Sequence, residues 1–240
     1  MRTALVILSL LNLAAWPVAA AADAPVPVRA GSSEVVHRVK SVLAFRRAGV
    51  VLQGFDYSCG SASLATLLTY GTGDGTTEAW VLQTVFETAT PEQEETIRKK
   101  GLSLLDLQRA AEKRGLRARG FRVHAGQVGR ISRPVIVHVR PQGYEHFAVL
   151  KGIRGGRAYL ADPSFGNVRM PLYRFLGIWA DGTGRGVVFA VEPKDGRWPA
   201  ASLLGAPPGG GPPLEALAAL ELAEVGKAYP LPIPDFAPGR

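Results

Sequence analysis

The sequence predicts an α+β domain with its helices first and its strands second. Three observations carry that prediction. Between residues 59 and 114, apolar residues recur at helical spacing, interrupted by glycine stops and by polar cap residues at helix starts. From residue 116 onward the pattern becomes short runs of β-branched residues separated by turns, of which Gly155-Gly156 is the clearest. The single cysteine, Cys59, stands where a loop gives way to the first helical run.

Taken in order, residues 1–22 read as a cleaved signal peptide. Arg2 supplies a basic start, an apolar run follows, and Val18-Ala19-Ala20 and Ala20-Ala21-Ala22 offer small-residue cleavage sites. Pro17 ends the run short of the roughly 20 residues that a membrane-spanning helix needs, and no later stretch reaches that length. The expected product is periplasmic or secreted, with no stable membrane span. Residues 21–33 read as an extended leader, and residues 34–51 as one short element at the start of a domain covering residues 34–193.

Leu64, Leu67 and Leu68 predict a helix after Ser58, which is placed to cap it, and the glycines of residues 71–75 stop it. Residues 78–87 read as a helix. Thr90-Pro91-Glu92-Gln93 is a capping-box start for another, exposed because it is poor in apolar residues. Ser103 starts a third, closed by Gly115. Strands are expected over residues 116–123, 134–139, 146–153, 157–162 and 186–191. Beyond Pro193 the composition predicts a Pro/Gly-rich linker over residues 194–213, and then a helix and Pro-rich tail over residues 214–240, with two readings open: docking on a secretion or fibre-assembly partner, or covering the domain.

The 240 residues carry a net charge of +8, with arginines spread along the chain and no nucleic-acid motif, so a nucleic-acid partner is not expected. One cysteine and four scattered histidines show no zinc-ligand spacing, and neither metal nor cofactor is expected. With one cysteine, no internal disulfide exists. A free thiol in an oxidising compartment is easiest to explain if it is used.

A cysteine in a first helical turn meets unpaired N–H groups and the helix dipole, which favour a thiolate. Gln53, six residues upstream, has the reach to bring an amide beside the sulfur as an oxyanion donor. From these residues alone, a buried core cysteine is an equal reading. Hairpin pairing of residues 146–153 with 157–162 would put His146 and Asp162 together at its open end. His138, flanked by Val137 and Val139, reads as a satisfied sheet histidine, and His124 as a turn residue.

Gln53 and Tyr57-Ser58-Cys59-Gly60 resemble the nucleophile motif of the bacteriocin-processing, double-glycine leader peptidases. Glu145-His146-Phe147-Ala148-Val149-Leu150 resembles that family's histidine strand, and Ala161-Asp162-Pro163 its Asp-Pro element. The resemblance covers roughly residues 51–192. It implies a papain-like fold, with the Cys helix packed on an antiparallel sheet carrying His and Asp. It also implies a cysteine endopeptidase: Cys59 as nucleophile, His146 as base, Asp162 orienting it and Gln53 serving the oxyanion. Many members carry an acid directly before the cysteine, where this chain has Ser58.

The family's familiar members are cytosolic domains of export transporters. Here the protein or peptide substrate is expected to be met after export, with cleavage after small residues and a role in export or assembly of extracellular fibre or amyloid subunits. A non-catalytic papain-like binding module and a cell-wall peptide hydrolase are the alternatives.

Overall fold

The structure, a computed structural model, describes residues 23–30, 33–193, 195–199, 202, 204 and 205. The expected signal peptide and C-terminal tail lie outside the described residues. The chain forms two units, divided between Ser41 and Val42. In the first, β1 (Asp23–Ala30) and β2 (Ser33–Lys40) pair antiparallel, with Asp23 opposite Lys40 and Ala30 opposite Ser33. This hairpin replaces the extended leader and the first part of the short element expected there. Pro25 and Pro27 hide it, since proline within a run argues against a strand unless one edge is free.

In the second unit, α1 (Val42–Arg47) and a loop lead to α2 (Cys59–Thr66), which continues as a π turn to Thr72 and closes at Gly73 with φ +80°. Every residue of α2 is buried, so the single apolar face expected from the leucines is in fact a helix enclosed on all sides. Small residues make that possible. A Cβ on Gly60 would stand 3.3 Å from the Phe147 ring, and the Ser63 hydroxyl donates to the Phe147 carbonyl at 3.1 Å.

Next come α3 (Glu78–Phe86), α4 (Pro91–Lys100) and α5 (Leu104–Lys113). The last two start at the capping boxes of Thr90 with Gln93 and Ser103 with Asp106. In α4 only Ile97 is buried, as its composition predicts, and Glu94–Arg98 and Glu95–Lys99 pair along its exposed face.

The strands β3 (Arg117–His124), β4 (Val135–Val139), β5 (His146–Arg154), β6 (Arg157–Asp162), β7 (Gly166–Pro171) and β8 (Arg185–Glu192) form one antiparallel sheet in the order β3-β8-β4-β5-β6-β7. Alternation sends side chains into two cores. Ile136, Val149 and Phe189 join Leu64, Leu67 and Leu107 on the helical side. Val137, Leu150, Leu160 and Val188 pack with Phe175 and Trp179 on the other. Those two aromatics belong to α6 (Leu172–Trp179), a helix with β7 before it that the sequence reading does not contain. The Trp179 indole lies so close to Gly186 that a Cβ there would sit 2.1 Å from the ring, and its Nε1 donates to the Val187 carbonyl.

Packing also extends past Pro193. Leu204 is fully buried in the helical core, Trp198 packs against it, and the Ser202 hydroxyl donates to the Tyr70 carbonyl at 2.9 Å. Composition alone gives this segment to a linker, because glycine and proline content does not report tertiary burial.

Candidate active site

Three segments meet at the start of α2. The loop of residues 53–58 brings Gln53 and leads into Cys59, the start of β5 brings His146, and the end of β6 brings Asp162. The hairpin of β5 and β6 carries the last two as its pairing requires, and Asp162 Oδ2 lies 3.2 Å from His146 Nε2. Both side chains are mostly buried. Cys59 is a free thiol, 8% exposed. The Cys59 thiol also acts on the His146 ring, raising its pKa, so one imidazole lies under the influence of both a thiol and a carboxylate.

Burial opposes a charge on that ring. The bond to Asp162 and the interaction with Cys59, together with their charges, overcome it and lift the His146 pKa to about 9. An unfolded histidine titrates near 6.5. The charged ring therefore contributes stability that is fully present below about pH 6.5 and lost as the pH rises through about 9. Between those limits the unfolding free-energy difference between wild type and His146→Gln should shrink by on the order of 3 kcal/mol. Urea titrations across this range measure it, and a difference that stayed constant would contradict the pairing.

Asp162 is held from behind as well. Its Oδ1 accepts the backbone N–H groups of Ser164 (2.8 Å) and Phe165 (3.2 Å). The residue thus starts a turn, the plain reading of Asp-Pro, and faces the histidine at the same time. Ser58 does not cap the helix. Its hydroxyl turns back on Phe55, donating to the carbonyl at 2.7 Å and accepting from the N–H at 3.0 Å, so it closes the loop instead.

Gln53 is tied down by three bonds. Its Nε2 donates to the Phe55 carbonyl at 2.9 Å, its Oε1 accepts from the Ser164 hydroxyl at 2.8 Å, and its backbone N–H donates to the Pro163 carbonyl at 2.9 Å. It joins the site through the Asp162 turn. Glu78 steadies the same loop, its carboxylate accepting from Gly54 N at 2.9 and 3.1 Å. The sequence reading misses both Glu78 and Ser164. The only available signal for Ser164 is its place two residues after an aspartate, where such turns close.

His138 pairs with Glu145 at 2.5 Å and packs at a tilt against the Phe147 ring; burial outweighs the carboxylate and lowers its pKa. His124 Nδ1 accepts from Gly126 N, a turn residue as expected. Among the described residues, no group of acidic, histidine or cysteine side chains is placed to hold a metal, and no helix is long and apolar enough to cross a membrane. Each of the three site segments also exposes an aromatic ring: Phe55, Tyr144 and Phe165.

Residues 47–194 match the peptidase C39 family. The chain is 39% identical over 165 residues to the "probable functional amyloid protease FapD" of Pseudomonas aeruginosa, covering 69% of this chain and 70% of that protein. A protein of the same description from Pseudomonas fluorescens is 32% identical, with 79% of each chain covered. Among solved structures, a double glycine motif protease from an AMS/PCAT transporter, crystallised with its leader peptide, is 28% identical over 62% of this chain and 94% of its own, with a TM-score of 0.44.

Proposed function

The chain belongs to the peptidase C39 family of papain-like cysteine peptidases, and from that premise we propose that Cys59, His146 and Asp162 cleave an exported fibre-forming protein, or a leader attached to one. The observation that carries the assignment of roles is the His146 imidazole, bonded through Nε2 to Asp162 and raised in pKa by the Cys59 thiol at a helix start. With Nε2 taken by Asp162, Nδ1 is the nitrogen that serves the sulfur.

The steps follow from that arrangement. The Cys59 thiolate attacks the scissile carbonyl, an S–C bond forms, and the carbonyl π pair moves onto oxygen. The backbone N–H of Cys59 and the Gln53 amide are the donors for that oxyanion. As the tetrahedral intermediate collapses, the C–N bond breaks and His146 gives its proton to the leaving amine. His146 then takes a proton from water, whose oxygen attacks the thioester and releases the acid and the thiolate. Asp162 holds the ring in one orientation throughout.

The substrate class rests on the relatives described as functional amyloid proteases and on the signal-like start of the chain, which supports a periplasmic address. The exposed rings of Phe55, Tyr144 and Phe165 suit apolar side chains on either side of small residues at the bond. A Cys59→Ala variant, with loop and sheet intact, should retain such a substrate uncut. The wild type should cut a secreted fibre subunit or its leader at one position, and iodoacetamide should abolish cutting. Cleavage that survives Cys59→Ala would refute the reading.

A further inference from the structure

We propose that Ser164 is a positioning residue that anchors the Gln53 amide for its part at the reacting carbonyl. The inference rests on the peptidase reading and adds a residue to it. A glutamine amide has a donor end and an acceptor end, and its two rotamers place them oppositely. Here two neighbours hold it. The Phe55 carbonyl only accepts, so it takes Nε2 and sets which end is which; the Ser164 hydroxyl donates to Oε1 at 2.8 Å and anchors the other end. Reversed, the amide would set oxygen against the Phe55 carbonyl, whereas the hydroxyl, able to donate or accept, would bond either end. In the observed orientation, the second hydrogen on Nε2 remains for an oxyanion.

The same turn holds the histidine's partner. Ser164 N donates to Asp162 Oδ1, and Pro163 O accepts from Gln53 N. Residues 162–165 therefore set the orienting carboxylate and the amide donor together, across a sequence separation of 111 residues between Gln53 and Ser164. An oxyanion donor acts only if it is already aimed when charge develops, so a bond that aims it belongs to the chemistry as well as to the fold. Ser164 is exposed, and its substitution leaves the backbone bond to Asp162 in place.

Two probes of the full chain separate this role from a structural one. Acetyl-Gly-Gly-aldehyde adds reversibly to Cys59: the S–C bond forms, the carbonyl π pair moves to oxygen, and the oxygen then takes up the proton that left the thiol. Iodoacetamide alkylates the same sulfur with loss of iodide and forms no oxyanion. Ser164→Ala should weaken aldehyde binding about fivefold, the size of one neutral hydrogen bond, while the alkylation rate stays within twofold of wild type.

Ser164→Thr, which keeps the hydroxyl, should restore aldehyde affinity. In a Gln53→Ala background, Ser164→Ala should cost nothing further, because the group it aims is gone. Equal aldehyde affinity in wild type and Ser164→Ala would overturn the proposal, as would a fivefold loss that persists without Gln53. A wild-type alkylation rate indifferent to His146→Ala would instead overturn the peptidase reading, whatever Ser164 does.

Discussion

His146→Ala should reduce peptide cleavage about 10²–10⁴-fold, the usual contribution of a positioned acid–base group, and should slow iodoacetamide alkylation of Cys59 at pH 7. Both effects come from one ring. The imidazole is held between Cys59 and Asp162, and its pKa of about 9 means that it carries a proton at neutral pH. That proton is the one the leaving amine needs, and the positive charge favours the thiolate. Without the ring, a thiol that is 8% exposed keeps only the helix start in its favour.

Alkylation is the sharper readout because it requires no knowledge of the substrate. Pseudo-first-order rates for wild type and His146→Ala at pH 7 suffice, normalised to a small free thiol. Equal rates would mean that the sulfur does not depend on the histidine.

The largest stability effect is expected at Gly186, far from the chemistry. A methyl group added there would stand 2.1 Å from Cε2 of Trp179, well inside contact distance. The indole has nowhere to go: it is 1% exposed, stacks on Phe175 with centroids 5.5 Å apart, and is tied to the Val187 carbonyl. Overpacking costs about 1–3 kcal/mol and occasionally more, and Gly186→Ala belongs at the upper end because neither ring nor strand can yield cheaply. For a chain of this size that lowers the melting temperature by about 6–12 °C. A thermal scan that found no shift would mean that α6 does not seat on β8 as described.

Much of the site was legible because its logic is local or nearly so. Thr90 with Gln93 and Ser103 with Asp106 announce their helices within four residues. His146 and Asp162 come together near the open end of one hairpin, beyond the pairing of Val149 with Ala161. What was hidden depends on partners distant in sequence. Ser58 has the chemistry of a cap, but the loop folds its hydroxyl onto Phe55. Gln53 stands at a plausible distance before the cysteine, yet its amide is set by Ser164.

The segment following Asp162 shows the same limit at the level of whole elements. Strand β7 has no clean alternation, and α6 follows Pro171 without a side-chain cap. Its Phe175 and Trp179 make sense only once the sheet's second face exists to receive them. Leu204 is similar: an apolar residue in a stretch rich in glycine and proline, buried only because the helical core leaves room for it.

The sheet has two outer strands, β3 and β7, and any open strand is a template on which another chain can add. On one side α1 packs against β7, and Asn167 Nδ2 grips the carbonyls of Phe45 and Ala48. On the other, β3 carries Arg117, Arg119 and Arg122, of which Arg117 pairs with Glu192 and Arg122 with Asp181, so that border is set with charged side chains. A peptidase must hold extended chains in its cleft while refusing them everywhere else. Here the refusal is built into the margins of the sheet, by a helix at one border and charged side chains at the other.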